Sequence, residues 1–206
     1  MTLKQKILQT FGEKTFARPL FYNYPCGLRF ALSASGHPIQ QFLQALRKAN
    51  DICSDIFGAE DALVITLRVH STNNAFVHRG LLESLSSAGI HIPAQRSIWS
   101  EEIAPDDWSA VEPEYWLNVA FEAPVSLLEN FLWCALATDF QTIQPNPNCA
   151  VYLFNLRSGA VVFPYDDRGM DVVGPNSELL FGLYKKYSSY LLDYDRPAMD
   201  DTFTGE

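Results

Sequence analysis

Residues 150–173 read AVYLFNLRSGAVVFPYDDRGMDVV and contain three apolar segments separated by two polar turns. The first turn is RSG at 157–159 and the second is DDRG at 166–169. Short runs of β-branched and aromatic residues bounded by such turns are typical of strands, and short loops join strands that run antiparallel. The stretch therefore predicts a three-stranded β-meander with strands at 150–156, 160–165 and 170–173.

The rest of the chain adds three more strands and five helices to this meander. Alternating or continuous apolar residues predict strands at 28–32, 62–69 and 115–122. Apolar residues that recur every three or four positions predict helices at 2–11, 38–57, 74–88 and 124–137, and a final helix after Gly174-Pro175-Asn176. Residues 16–24 are expected to be extended, and residues 98–114 to form an acidic exposed loop with at most a short strand.

These elements favour a single α+β domain over residues 1–206. Helices would pack on a mixed or antiparallel sheet, and the C-terminal part, 150–206, would hold the β-meander followed by a helix. The chain has 206 residues, of which 48% are hydrophobic and 19% charged, which is typical of a folded globular domain rather than a disordered one.

Composition also excludes several functional classes. No apolar run approaches the length of a membrane span, and the first residues lack the apolar block of a signal peptide, so we expect a cytoplasmic protein without membrane contacts. The four cysteines are too widely spaced for a zinc knuckle and are expected to be buried free thiols. The four histidines form no metal-binding pattern, and no phosphate-binding glycine loop is present, so no cofactor is expected.

The charge of the chain is unevenly distributed. The net charge is −9, which argues against nucleic acid as a partner. Residues 1–50 carry seven Lys and Arg but one acid, so this part has a charge of +6 and the rest of the chain −15. Between Arg96 and Arg157 there are nine acids and no Lys or Arg. Fields of one sign speed encounter with a partner of the opposite sign.

The acidic region is therefore a candidate binding surface for a basic protein. Aromatic anchors within a polar rim are favoured at protein interfaces, and the candidate residues are Glu101, Glu102, Asp106, Asp107, Trp108, Glu112 and Glu114. The alternative is that these acids are ordinary solvated surface that keeps an aromatic-rich protein in solution.

A second polar cluster surrounds the DDRG turn and admits two interpretations. Asp166, Asp167 and Asp195 would bind a divalent cation if they converged. Alternatively the turn is structural: the Asp166 side chain caps a backbone N–H, Gly169 takes a positive φ, and Arg168 pairs with a nearby carboxylate. Arg196 is expected to pair with Asp166 or Asp167 and so attach the C-terminal tail to the turn. No catalytic residue is assigned.

The C-terminal residues resemble a bacterial family of unknown function that is marked by a Tyr-Asp-Asp-Arg-Gly signature. The residues that carry the resemblance are Tyr165, Asp166, Asp167, Arg168, Gly169, Asp193, Asp195 and Arg196. The 28–30 strand and the helix after it are similar to the opening elements of that family. The resemblance brings no catalytic residues, and the turn chemistry given above assigns these signature residues a structural role. Some members look like immunity proteins that are paired with toxins of interbacterial competition.

Together these patterns favour a cytoplasmic immunity protein. Its acidic face would bind a cognate protein toxin, expected to be basic, and block that toxin's active-site surface. The alternative is a metal-dependent hydrolase or nuclease that uses Asp166, Asp167 and Asp195. A third hypothesis, a structural subunit of a larger assembly, rests on the aromatic content of 13%.

Overall fold

The meander at residues 150–173 lies inside an antiparallel sheet. The computed structural model describes residues 1–72, 79–103 and 113–204. Its strands are β1 (Leu28–Ala31), β2 (Ala62–Ser71), β3 (Ser97–Glu102), β4 (Tyr115–Pro124), β5 (Ala150–Asn155), β6 (Ala160–Asp166) and β7 (Gly169–Val173). They form a seven-stranded sheet in the order β1-β7-β6-β5-β2-β4-β3, in which every pair is antiparallel.

Six helices accompany this sheet in the described residues. They are α1 (Leu3–Phe11), α2 (Pro38–Phe57), α3 (Arg79–Ser87), α4 (Leu128–Leu136), α5 (Ser177–Lys186) and α6 (Arg196–Thr204). The predicted α+β class, with helices on an antiparallel sheet and a helix after the meander, is confirmed. The helix predicted at 74–88 is observed from Arg79 onward, since residues 73–78 lie outside the described part.

Both faces of the sheet are covered, which explains the continuous apolar sequences of the central strands. Side chains alternate between the faces: Val172 joins a large core with α2 to α6, whereas Val173 joins a smaller core with α1 and the segment after it. Ile7 and Phe11 of α1 belong to the smaller core. The sheet is therefore the middle layer of the domain.

Local sequence signals set several of the helix ends. The side chains of Thr2 and Gln5 form reciprocal hydrogen bonds with backbone N–H groups at the start of α1, a capping box. Pro38 occupies the first turn of α2, where no N–H donor is needed. The Asn176 side chain accepts a hydrogen bond from the Leu179 N–H at the start of α5.

Three expectations from the sequence need correction. Residues 16–24 are not simply extended: one 3₁₀ turn, Glu13–Phe16, ends at their start and a second, Phe21–Asn23, lies within them, because Phe16, Leu20 and Phe21 are buried in the cores. The helix predicted from residue 124 begins as a 3₁₀ turn, and its α-helical part starts at Leu128. The helix α6 was not predicted, because Met199 is its only fully buried residue and its apolar pattern is weak.

The loop of the hairpin between β5 and β6 is one residue longer than predicted, and the Asn155 side chain closes it with hydrogen bonds. Asn155 pairs with Ala160, which leaves four residues in the loop instead of three. The Asn155 side-chain oxygen accepts hydrogen bonds from the N–H groups of Arg157 and Ser158, and Gly159 adopts a φ of 70°.

No helix of the described residues combines the length and apolar character that a bilayer span requires.

All four cysteines are free thiols, as predicted, but they differ in exposure. Cys53, Cys134 and Cys149 are buried, whereas Cys26 is only partly buried. Burial raises the pKa of Cys134 to about 12 and also raises the pKa of Cys53 and Cys149. The thiolate is the reactive form of cysteine. These three thiols are therefore protected from reagents in two ways: burial blocks access to them, and their raised pKa keeps them protonated.

We therefore expect a disulfide reagent at neutral pH to modify one thiol per folded chain, Cys26, and four thiols after denaturation. The reaction can be followed by absorbance and by intact mass. A Cys26→Ser variant should give no fast reaction while folded. Fast modification of two or more thiols in a protein that keeps its circular dichroism spectrum would contradict this arrangement.

Candidate functional site

A largely buried arginine, Arg29, is the centre of the polar cluster around the signature residues. Arg29 lies on β1 opposite Asp171 of β7, and this register places both side chains on the same face of the sheet. The Arg29 Nε donates to Asp171 Oδ1 at 2.8 Å, and Nη2 donates to Oδ2 at 3.2 Å. The remaining Nη1 donates to Asp195 Oδ2 at 3.0 Å. We call Arg29, Asp171 and Asp195 the Arg29 cluster.

The N-terminal segment completes the hydrogen bonding of this cluster. The Phe21 N–H donates to Asp171 Oδ2 at 3.0 Å, and the Tyr22 hydroxyl donates to Asp195 Oδ1 at 2.7 Å. Asp195 ends a 3₁₀ turn at Asp193–Asp195, whose first residue is exposed. The Arg29 cluster therefore joins three distant parts of the chain: residues 21–22, the β1–β7 pair and residues 193–195.

The electrostatics of the Arg29 cluster follow from its burial. The side chains of Arg29, Asp171 and Asp195 are 11%, 1% and 4% exposed. Burial alone lowers the pKa of Arg29, but its bonds to Asp171 raise that pKa above its usual value, so the guanidinium stays charged. Burial raises the pKa of Asp171, although Arg29 and the Phe21 N–H oppose this shift. Removing one partner of such a group leaves a buried charge without compensation.

The hydrogen bonds of the DDRG turn are those that the structural interpretation predicts for Asp166 and Arg168. Asp166 Oδ1 accepts hydrogen bonds from the N–H groups of Arg168 and Gly169 at 2.8 and 3.1 Å, and Oδ2 pairs with the Arg168 guanidinium. The Asp167 carboxylate accepts from the Ser33 hydroxyl at 2.9 Å. Burial raises the pKa of Asp167, and this hydrogen bond from Ser33 lowers it in part.

The expected positive φ at Gly169 is wrong, since this residue is absent from the positive-φ glycines of the chain. Glycine is required for another reason: a Cβ at position 169 would collide with the hydroxyl and the ring of Tyr165. The Arg29 guanidinium carbon also lies near the Tyr165 ring, at 5.6 Å from the ring centroid. The signature residues Tyr165 and Gly169 therefore pack directly against each other, with the Tyr165 ring in the space that a side chain at position 169 would need.

The geometry that a cation site would need is not formed by the proposed carboxylates. Asp166 is held by Arg168, Asp167 by Ser33, and Asp195 by Arg29 and Tyr22. Among residues 1–72, 79–103 and 113–204, no group of three His, Cys, Asp or Glu side chains is arranged to hold a metal ion.

The predicted pairing of Arg196 with Asp166 or Asp167 is wrong. Arg196 donates to the Ser188 carbonyl at 2.7 Å. The physical reason is that Asp195, directly before it, turns inward to Arg29, so that Arg196 at the start of α6 meets the 3₁₀ turn Ser188–Tyr190 instead.

The predicted acidic surface is described only in part. Glu101 accepts hydrogen bonds from Arg68 and Trp99, both at distances near those of a charge-assisted bond, 2.9 and 2.8 Å. Glu114 pairs with His70 at 3.1 Å. Glu102 is exposed and forms no ion pair with the described residues. The other four candidates, Asp106, Asp107, Trp108 and Glu112, lie outside the described residues.

The acidic residues 101 and 102 end the strand β3, which is an edge of the sheet. Within the described part of the chain β3 pairs with β4 alone. The opposite edge, β1, is closed by a bridge between Phe30 and Leu191 and by a bond from the Leu192 N–H to the Arg29 carbonyl. One edge of the sheet is therefore covered by the chain itself, and the backbone groups on the outer side of the other edge have no strand partner within residues 1–72, 79–103 and 113–204.

With this geometry established, the comparisons with known proteins place the chain in a family. A family model described as "Domain of unknown function (DUF3885)" matches residues 3–195. The chain belongs to the DUF3885 family. The match contains the whole Arg29 cluster and ends just before α6. Neither the curated proteins nor the solved structures gave a match.

Two residues of this DUF3885 chain were missed by sequence reasoning, Arg29 and Arg68. Each is a charged residue inside an apolar strand, and each is buried or nearly so. That position is itself a signal, because a charge in a covered strand needs a partner of opposite sign. What the sequence does not contain is the identity of that partner, since Arg29 and Asp171 are 142 residues apart.

We expect Arg29→Met to lower the free energy of unfolding by about 3–5 kcal/mol, because Asp171 and Asp195 lose their compensating charge. Arg168→Met removes a guanidinium that is 75% exposed, and we expect a loss of about 1 kcal/mol or less. Urea denaturation of both variants measures the difference. Equal losses would show that the Arg29 cluster does not carry the predicted stability.

Gly169→Ala should lower the free energy of unfolding by about 1–3 kcal/mol, because the new methyl group overlaps Tyr165. In a Tyr165→Ala background the same substitution should have a much smaller effect. Gly182→Ala is a matched control, since its methyl group would meet no atom within 4 Å. A loss at Gly169 that persists without the Tyr165 ring would contradict the packing explanation.

Proposed function

We propose that this protein is an immunity protein that binds a basic protein toxin along the β3 edge and neutralises it. The observation that carries the proposal is the open, acidic edge of β3. The proposal also rests on the resemblance of the signature residues to a family with members that look like immunity proteins.

The β3 edge has the features of a strand-addition site. Its backbone groups on the outer side have no strand partner among the described residues. Ile98 is 52% exposed on this strand, where an apolar side chain has no covering element in the described chain. A partner strand that added here would satisfy the backbone and bury Ile98, which is the binding mode called β-augmentation.

Charge decides which kind of partner strand fits. Glu102 projects from the end of β3, and no Lys or Arg occurs between Arg96 and Arg157. Lys4 lies over the Trp99 ring, so the acidic character is concentrated at the Glu102 end of the strand. A strand rich in Lys or Arg is complementary to this end, and such pairing gives fast association that weakens with salt.

The pairing of the carboxylates is consistent with separate roles for the signature residues and for the β3 edge. Asp166, Asp171 and Asp195 are each paired with an arginine of the chain, whereas Glu102 is exposed at the surface. In this proposal the signature holds the sheet together and the edge strand meets the partner. The proposed compartment is the cytoplasm, where the toxin would act.

The experiment compares an edge variant with a control of the same charge change. The variant Ile98→Thr with Glu102→Lys alters β3, and Glu129→Lys alters an exposed acid on α4. Tagged wild-type protein and both variants are used to capture proteins from the native host at low and at high salt. The captured protein is then purified, and its association rates with the three forms are measured.

We expect the wild type and Glu129→Lys to retain one basic protein at low salt, and the edge variant to bind it at least about tenfold more weakly. Expression of that protein alone should stop growth, and co-expression of the wild type should restore it. Equal binding by the edge variant would overturn the β3 interface. A captured protein without effect on growth, or no salt-sensitive partner at all, would overturn the immunity function.

A further inference from the structure

A cavity of the described residues lies beside one end of the sheet. It has a volume of about 570 Å³, within the size range of small-molecule sites. Its walls come from the end of β2, the start of β4 and β5, and α3. The residues that matter for its chemistry are Arg18, Arg68, His70, Leu81, Trp116 and Tyr165.

Arg18 is fixed in this cavity by rings rather than by a carboxylate. Its guanidinium carbon lies 5.3 Å from the ring centroid of Trp116 and 4.8 Å from that of Phe163. Its Nε donates to the Tyr152 hydroxyl at 3.3 Å. Cation–π contacts of this kind orient a guanidinium and leave its outer N–H groups available.

Neighbouring arginines in the fold are all neutralised. Arg68 shares the cavity and pairs with Glu101, and its Nη1 donates to the Phe16 carbonyl at 3.3 Å. Arg29 and Arg168 share a second, smaller cavity with Arg18, and both pair with aspartates. Arg18 by contrast forms no ion pair with any residue of the three described ranges.

The two arginines of the large cavity repel each other. Burial lowers the pKa of Arg68, and the charge of Arg18 lowers it further, whereas Glu101 raises it. His70, at the rim, is paired with Glu114. Glu101 thus balances the charge of Arg68 locally, and the excess positive charge of the cavity is that of Arg18.

We propose that this cavity binds a small organic anion whose phosphate or carboxylate group is held by Arg18. Guanidinium N–H groups in a planar fork match the oxygen atoms of either group. An anion at this position would also relieve the repulsion between Arg18 and Arg68. Leu81, Val69 and the edge of Trp116 provide an apolar wall for the organic part of the ligand. This site does not depend on the toxin-binding function or on the β3 edge.

Isothermal titration calorimetry with the full-length protein tests the site. The probes are inorganic phosphate, phenyl phosphate and phenylacetate, each titrated at constant ionic strength against sodium chloride. The proteins are the wild type, Arg18→Gln and the matched control Arg157→Gln, which removes an exposed arginine on the β5–β6 loop. Thermal melts verify that each variant is folded, and Arg18→Lys replaces Arg18→Gln if the latter is not.

We expect one saturable site per chain in the wild type and in Arg157→Gln, with binding about tenfold or more weaker in Arg18→Gln. Saturation by phenyl phosphate or by phenylacetate supports the site and identifies which anionic group it prefers. Lack of saturation by all three probes at millimolar concentration would overturn the proposal. Equal affinity of the Arg18 variant and the wild type would also overturn it.

Discussion

The guanidinium of Arg29 binds two interior carboxylates, those of Asp171 and Asp195. The rest of the fold depends on this compensation of the two negative charges by one positive charge. Three buried charged groups are expensive to remove from water, and they are tolerated where every lone pair and N–H group has a partner. Here the partners come from Phe21, Tyr22 and the β1–β7 register. The N-terminal segment, the last strand and the C-terminal turn therefore form correctly only together.

This constraint also explains the asymmetry of the sheet. The chain segment that brings Asp195 to Arg29 passes along β1, where Leu191 bridges to Phe30 and Leu192 donates to the Arg29 carbonyl. One sheet edge is thereby closed as a consequence of the Arg29 cluster. The other edge, β3, pairs with β4 alone among the described residues and has no such constraint there.

The face of the sheet that is covered by the N-terminal segment carries the unusual chemistry of this DUF3885 member. It contains a row of arginines that are held by carboxylates and aromatic rings, in a chain whose net charge is −9. Ion pairs account for Arg29, Arg68 and Arg168 as structural residues. Arg18 differs from these three arginines, because aromatic rings and the Tyr152 hydroxyl hold it and no carboxylate of the described residues pairs with it.

The sequence by itself determined the local structure, the fold class and the DDRG turn, because these depend on neighbours within a few residues. Apolar periodicity locates the helix at 38–57 and the strands of the meander, and Asp166 meets N–H groups two and three residues away. Only the tertiary structure decided that Gly169 is required by the Tyr165 ring, that Arg196 bonds to Ser188, and that Arg29 joins Asp171 to Asp195. Such contacts depend on the packing of whole elements, and the cavity at Arg18 exists only where separate strands end side by side. A charged residue in an apolar strand indicates that a partner of opposite charge exists. The strand order of the sheet determines which residue that partner is.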